Sequence, residues 1–446
     1  MSEQSIEFLK KHLEKSSVQH IIGWEIYWEE KQKQSFQSKE NAIELVEEAL
    51  EQGIAIRLWQ GSRRAFSCTS DLSPKGLEKL VALTIEALPL LGEELQLPPP
   101  VKASSFASRT TSASVSREEK IEATLLLEKS ARDFDRRITK VRDVRLEEEF
   151  KKIRLMTSEG FDSSYEDILY EMSLMVVAES DHGQEMAWES DFSHGFNELN
   201  PNLLGQSVAE KSVQLLGAQK IPTQKTAAVL DPIVTSAFLN VLAQSFCADQ
   251  VYKGRSFLKG KMGSHAYAPS VTLLEDPLDE KSYDRAPFDA EGIATQKVVL
   301  VEKGKIKSWM TDLQMAQLLG CPATGHAVRT SYKESPHIGP RRFRLEPGRF
   351  STEELIGEMG KGFFVQDIIG AHTIDAISGD FSVGATGLWI EGGKRRSAVR
   401  GVTISGNLHD IFQKIDKVGS QTREYQSFGA SSLLIRSLDV SGDVVD

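Results

Sequence analysis

The apolar and polar positions change their period several times along the chain, and each change marks an element. Ile21 to Trp28 and Ile54 to Trp59 are short runs rich in β-branched and aromatic side chains, which predicts strands. The second run turns at Gln60-Gly61-Ser62 into a partner strand, Arg64 to Thr69. Lys39 to Gln52 is rich in Glu, Ala and Leu, which predicts a helix stopped by Gly53. Further helices are predicted over 3–17, 73–91, 116–134 and 200–216. Three of these open on clear start signals: Ser73-Pro74, the capping box Ser116-x-x-Glu119, and Asn200-Pro201. Strands fit 138–146, 150–157 and 167–179. Leu72-Ser-Pro-x-x-Leu77 and Leu199-Asn-Pro-x-x-Leu204 repeat one pattern, which fits either a duplicated unit or shared helix-start chemistry.

From Gln224 the pattern changes to strands joined by tight turns. Hairpins are predicted around Lys303-Gly304 and Gly392-Gly393, with further strands over 270–275, 342–346, 361–369, 400–405 and 432–440. Ser351-Thr-Glu-Glu354 opens a short helix, and 406–418 reads as another. One longer helix stands among these strands. Asp231-Pro232 supplies an N-cap and a proline at the first helical position, and apolar residues then cover most of the circumference up to Cys247. Such a helix is buried, and its polar line is Ser236, Asn240 and Gln244. A basic, glycine-punctuated loop follows, Lys253 to Lys261. The expected fold class is α+β. An N-terminal α/β part with strand–helix units spans 1–222, with a linker near 98–115. A mainly antiparallel β domain with a buried helix spans 223–446.

Composition narrows the partners. The 446 residues exceed one ordinary core, which accords with two domains. A net charge of −11 argues against DNA or an anionic membrane surface, both of which need a basic face. The N-terminal stretch is charged and lacks a signal-peptide apolar region. Cys68, Cys247 and Cys321 form no CxxC and leave an odd thiol, which points to the reducing cytoplasm.

Few motifs carry chemistry. Gly254 to Lys261 resembles a phosphate-binding loop but has one residue too many, and Met262 stands where Ser or Thr must hold magnesium. The nine histidines are scattered, with no pair at the spacing that offers one metal two ligands from one helix. Asp289-Ala-Glu291-Gly292 and Ser378-Gly-Asp380-Phe-Ser382 could supply acid/base carboxylates, or form turns. Arg341-Arg342 and Lys394-Arg395-Arg396 read as solvated faces.

A series of blocks, in order over more than 200 residues, resembles the PmbA/TldD family in its PmbA (TldE) branch. They include Val229-Leu-Asp-Pro232, Gly254-Arg-Ser-Phe-Leu258, Pro287-Phe-Asp-x-Glu-Gly292, Thr324-Gly-x-Ala-Val-Arg329, Ser378-Gly-Asp-Phe-Ser-x-Gly-Ala385 and Gly401-Val-Thr-Ile-Ser-Gly-Asn-Leu408. The resemblance implies cytoplasmic metallopeptidase assemblies that pair a TldD-type with a TldE-type subunit and act on unfolded peptides; an older family label is modulator of DNA gyrase. It also implies a helical His-Glu-x-x-x-His and a later cysteine as zinc ligands in the TldD-type subunit. Registered on the following loop, that motif falls on Leu239, Asn240 and Gln244, and no cysteine follows Cys321. The expectation is a chain with no catalytic residue, metal or cofactor of its own, completing a TldD-type partner that carries the zinc. The alternative is a homodimeric binding or scaffold protein without peptidase activity, or a modulator of DNA gyrase. Expected contacts to an extended peptide are Arg255, Ser256, Asp289, Glu291 and Asp380. His326 stands where PmbA-type sequences usually carry Asn.

Overall fold

The computed structural model describes residues 2–15, 21–94, 101–102, 115–181 and 183–442. The linker expected near 98–115 lies outside them except for 101–102 and 115, as does His182. The first half contains α1 (Ser2–Lys15), β1 (Gly23–Lys39), β2 (Ala42–Gln60), β3 (Arg63–Thr69), α2 (Pro74–Ala87), α3 (Arg117–Arg132), β4 (Ile138–Thr157), β5 (Asp162–Ser180), β6 (Gly183–Ser193) and α4 (Pro201–Gln214). The strands form one antiparallel sheet in the order β3-β2-β1-β4-β5-β6. Each side of the central β1/β4 pair therefore runs helix, three-strand meander, helix.

Alternation assigns the two faces of this sheet. Trp24, Ile26 and Trp28 pack with α1 and α2, while Met172, Leu174 and Val176 pack with α3 and α4. The opposite face presents Tyr27, Ile153 and Tyr165 to Ala286, Phe288 and Tyr332 of the second half.

Lys39 to Gln52 is not a helix. Glu40 and Asn41 both have positive φ, 55° and 61°, which makes a two-residue hairpin turn. The turn sets Phe36 opposite Val46 and Lys31 opposite Glu51. Phe36 is fully buried in that register, so tertiary pairing overrides the helical preference of the Glu/Ala/Leu run. The strands expected at 138–146 and 150–157 are one strand, β4, bent by an irregularity between Arg142 and Arg145.

The second half contains β7 (Gln224–Leu230), α5 (Pro232–Gln244), α6 (Ala248–Tyr252), β8 (Leu273–Glu275), β9 (Val298–Glu302), β10 (Lys305–Ile306), α7 (Leu313–Leu319), β11 (Ala327–Val328), β12 (His337–Ile338) and β13 (Phe343–Leu345). It continues with α8 (Thr352–Met359), β14 (Lys361–Ile369), β15 (Asp380–Glu391), β16 (Lys394–Asn407), α9 (Leu408–Gln413), β17 (Ile415–Tyr425) and β18 (Phe428–Ser441). All but the short β11/β12 pair belong to one mostly antiparallel sheet. Within it β7 pairs with both β14 and β18, which closes a ring through β15 and β16. Helix is confined to α9 in the stretch 406–418, because Ile415 and Val418 are taken up opposite Ile435 and Leu433.

The α5 helix packs Val234, Phe238, Leu239 and Leu242 into the core of this sheet, together with Phe343, Phe363 and Leu433. Asp231 caps it by accepting the Ile233 N–H at 3.2 Å. The whole is an α+β fold.

Candidate functional site

Two regions bring the expected residues together. The first is the outer face of α5. Asn240 and Gln244 are exposed, with Ile233, Ala237 and Val241 half-buried between them. Ser236, the third member of the polar line, is buried and donates to the Ile233 carbonyl at 2.8 Å. Leu239 is fully buried.

The basic loop and the 378–381 segment converge beside this face through aromatic contacts. Phe238 meets Phe381 at a ring distance of 5.2 Å. Phe257 stacks on His409 at 3.8 Å, and the Lys261 ammonium lies 3.0 Å from the Phe257 centroid. His409 is buried; burial and then the Lys261 charge lower its pKa to about 4, which leaves a neutral ring whose Nδ1 is 3.1 Å from the Tyr267 hydroxyl.

Arg255 is exposed on this loop, and Asp380 is exposed at the start of β15, accepting from the Asn407 amide at 2.8 Å. Ser256 is buried. It donates to the Ser245 carbonyl at 2.7 Å and accepts the Leu258 N–H at 3.0 Å, so its hydroxyl holds the loop on the end of α5.

A zinc ion does not fit α5. Zinc in proteins takes imidazole, thiolate or carboxylate, whereas Leu239, Asn240 and Gln244, where the resemblance would set the motif, are a leucine and two carboxamides. Leu239 points into the core and Gln244 into solvent. Cys247, just beyond α5, is buried and donates to the carbonyls of Ala243 and Ile338; burial raises its thiol far from the thiolate that zinc needs. Among the described residues, no three His, Cys, Asp or Glu side chains group to hold a metal ion.

The second region lies between the two halves and is built from charge. Arg57, in an otherwise apolar stretch of β2, is 4% exposed. It donates from Nε and Nη2 to the two oxygens of Glu25 on β1, and from Nη1 to Glu291 at 3.0 Å. Arg329 crosses from the second half to the same Glu25 at 2.6 Å and lies 4.4 Å over the Tyr27 ring.

Glu291 also accepts the Leu313 N–H at the start of α7, at 2.9 Å. Burial alone would raise its carboxyl, but Arg57, this N–H and Arg64 together hold it below its ordinary value. Asp289 is 1% exposed and accepts three backbone N–H groups, from Glu291, Ile293 and Ala327. Burial and then the Glu291 charge outweigh those donors and raise its carboxyl. The two therefore organise the 287–293 turn and the joint between halves.

Arg341 and Arg342 are not a solvated face. Both are 3% exposed; Arg341 pairs with Asp284, and Arg342 with Glu424 at 2.6 Å and Asp279 at 3.1 Å. Their two backbone N–H groups both donate to the Glu275 carboxylate at 3.1 Å, while the side chains go to separate carboxylates. Lys394 to Arg396 are exposed on the β15/β16 hairpin. His326 is fully buried, with Nδ1 2.9 Å from the Thr324 hydroxyl and Nε2 3.4 Å from Glu275. The sequence carried one unused signal for this layer: Glu25 and Arg57 each interrupt an apolar strand run, where a charge survives only if paired.

Comparison with known proteins places both regions in one frame. Residues 24–88, 111–216 and 223–442 match the models for domain 1, the central domain and the C-terminal domain of the PmbA/TldA metallopeptidases. The metalloprotease PmbA of Escherichia coli O157:H7 is 25% identical over 92% of this chain and 90% of its own length. A TldD metalloprotease homologue of Haemophilus influenzae is 22% identical over 91% and 87%. The crystal structure of TldE from Thermococcus kodakarensis superposes with a TM-score of 0.88 at 19% identity, covering 98% of this chain and 100% of that one.

Proposed function

The chain belongs to the PmbA/TldD metallopeptidase family, and we propose that it serves there as a non-catalytic subunit of the TldE/PmbA type. The observation that carries this reading is the outer face of α5. At the positions of a metal motif it presents two exposed carboxamides and turns a leucine inward. Neither amide takes a proton near neutral pH, so the helix has no general base. Zinc belongs to a TldD-type partner, and this chain walls the chamber that the two enclose.

An extended peptide is held there by strand addition, which needs backbone edges more than particular side chains. Arg255 and Asp380 make contacts from the surface beside α5. Ser256 supports the loop that carries Arg255, and Asp289 and Glu291 fix the joint that sets the spacing of the two halves. The cytoplasm is the compartment of this assembly, in keeping with the three free cysteines. No helix among the described residues is long and apolar enough to cross a membrane.

Affinity purification of the tagged full chain from its native host tests the reading. Recovery of a partner of similar size that carries a helical His-Glu-x-x-x-His is the expected result. Recovery of this chain alone, as a dimer, would replace it with a self-sufficient binding or scaffold protein.

A further inference from the structure

A cleft of about 330 Å³ lies between the halves and is distinct from the outer face of α5. Its size falls within the range of small-molecule sites, about 300–1,000 Å³. Its floor is the helix-free face of the first sheet and its roof is the 283–290 and 328–341 segments. Thr330 and His337 are exposed at its rim, so it opens to solvent there.

The lining has an unusual balance. Four cations, Lys31, Lys151, Arg329 and Arg341, face four carboxyl groups, Glu29, Glu149, Asp284 and Asp289. Both signs of charge line the cleft, so a zwitterion meets a partner at each end, whereas a ligand of one sign leaves groups of its own sign facing it. The charges are also separated along the floor. Lys31 stands directly opposite Lys151 across the β1/β4 pair. Lys151 and Arg341 share the single carboxylate of Asp284, so this end carries excess positive charge. Two residues along β4, on the same face, comes Glu149; Lys33 across from it is engaged with Glu147 at 2.9 Å.

Same-face neighbours on a strand are about 7 Å apart, and two residues of extended peptide span roughly 7 Å. Tyr27, Tyr165, Tyr283, Phe288 and Ile153 supply the apolar wall. The geometry points to a site for a short peptide with both termini free, its carboxylate toward Lys151 and Arg341 and its ammonium toward Glu149. This site belongs to the chain by itself and stands whether or not the α5 face meets a metal-bearing partner.

Isothermal titration calorimetry of the full chain with Gly-Phe, N-acetyl-Gly-Phe and Gly-Phe amide tests it. Gly-Phe binds, and blocking either end weakens binding by about tenfold or more, since each block removes one charge-assisted contact. Lys151→Met removes the discrimination against the amide, and Glu149→Gln removes the discrimination against the acetyl form. Circular dichroism checks that each variant is folded; if Lys151→Met is not, Glu149→Gln alone decides. Failure of Gly-Phe to bind, equal binding of all three probes, or wild-type discrimination in folded Glu149→Gln overturns the proposal.

Discussion

The α5 core and the layer between the halves are both buried, yet they are built from opposite materials. Around α5 the buried side chains are Val234, Phe238, Leu239 and Leu242, and burial itself stabilises them by about 1.5–3 kcal/mol each. In the layer between halves, Glu25, Arg57, Glu291 and Arg329 are just as hidden, and each is tolerable only because the others are present. The first region tolerates a change in proportion to the volume removed. The second fails when any member leaves an uncompensated charge. The comparison teaches where function can sit: the carbon-built helix offers no reactive group, while the chemistry-bearing side chains hold the two halves together and floor the cleft between them.

The largest expected effects set these two regions directly against each other. Arg57→Met leaves Glu25 to Arg329 alone and Glu291 to the Leu313 N–H and the more distant Arg64, a loss of buried charge pairing that costs about 3–5 kcal/mol at neutral pH. Phe238→Ala costs a similar amount, about 3–5 kcal/mol, by opening a cavity under α5. Urea denaturation at two pH values separates them. The Arg57 penalty shrinks in acid as Glu25 and Glu291 take up protons, whereas the Phe238 penalty stays the same; equal pH dependence would erase the distinction.

A smaller effect comes from His409, near α5, whose ring burial holds neutral. The folded His409 pKa is depressed to about 4 from an ordinary value near 6.5. Between those values the unfolded chain binds the extra proton, so stability falls as pH drops from 6.5 to 4. Replacing His409 with Gln flattens that stretch of the stability curve, and an unchanged slope would contradict the neutral ring. Asp284 provides the counterpart in the charged layer. Burial alone would raise its carboxyl, but Arg341 and Lys151 lower it well below its ordinary value, so its contribution is present above about pH 4 and lost in stronger acid. Asp284→Asn removes that acid limb.

The smallest effect is on the α5 face itself. Asn240→Ala and Gln244→Ala change stability by less than about 0.5 kcal/mol, as thermal unfolding will report, because both side chains point into solvent.

What could be read from the sequence divides along the same line. The start of α5, the Ser116 and Ser351 capping boxes and the hairpins at Lys303-Gly304 and Gly392-Gly393 are local events, written in adjacent residues, whereas α5 ends at Gln244, short of the expected Cys247. The Lys39–Gln52 strand was hidden, because its turn rests on Glu40 and Asn41 in a left-handed conformation and its composition favours helix. The charged layer was hidden for another reason. Arg57 finds its partners 32 and 234 residues away, and Arg329 reaches Glu25 across 304. Spacing along the chain carries no trace of such pairs. Arg341 and Arg342 therefore read as surface, and Asp289 and Glu291 as a turn whose burial only the fold reveals.

The central claim is that α5 is the counterpart of a metal-binding helix without the ligands. Elemental analysis of the purified chain alone, after incubation with excess zinc and removal of loosely bound ion, tests it most directly, with cleavage of unfolded casein measured on the same sample. Substoichiometric zinc and no cleavage are expected. One tightly held zinc per chain, with cleavage that a chelator abolishes, would contradict the account.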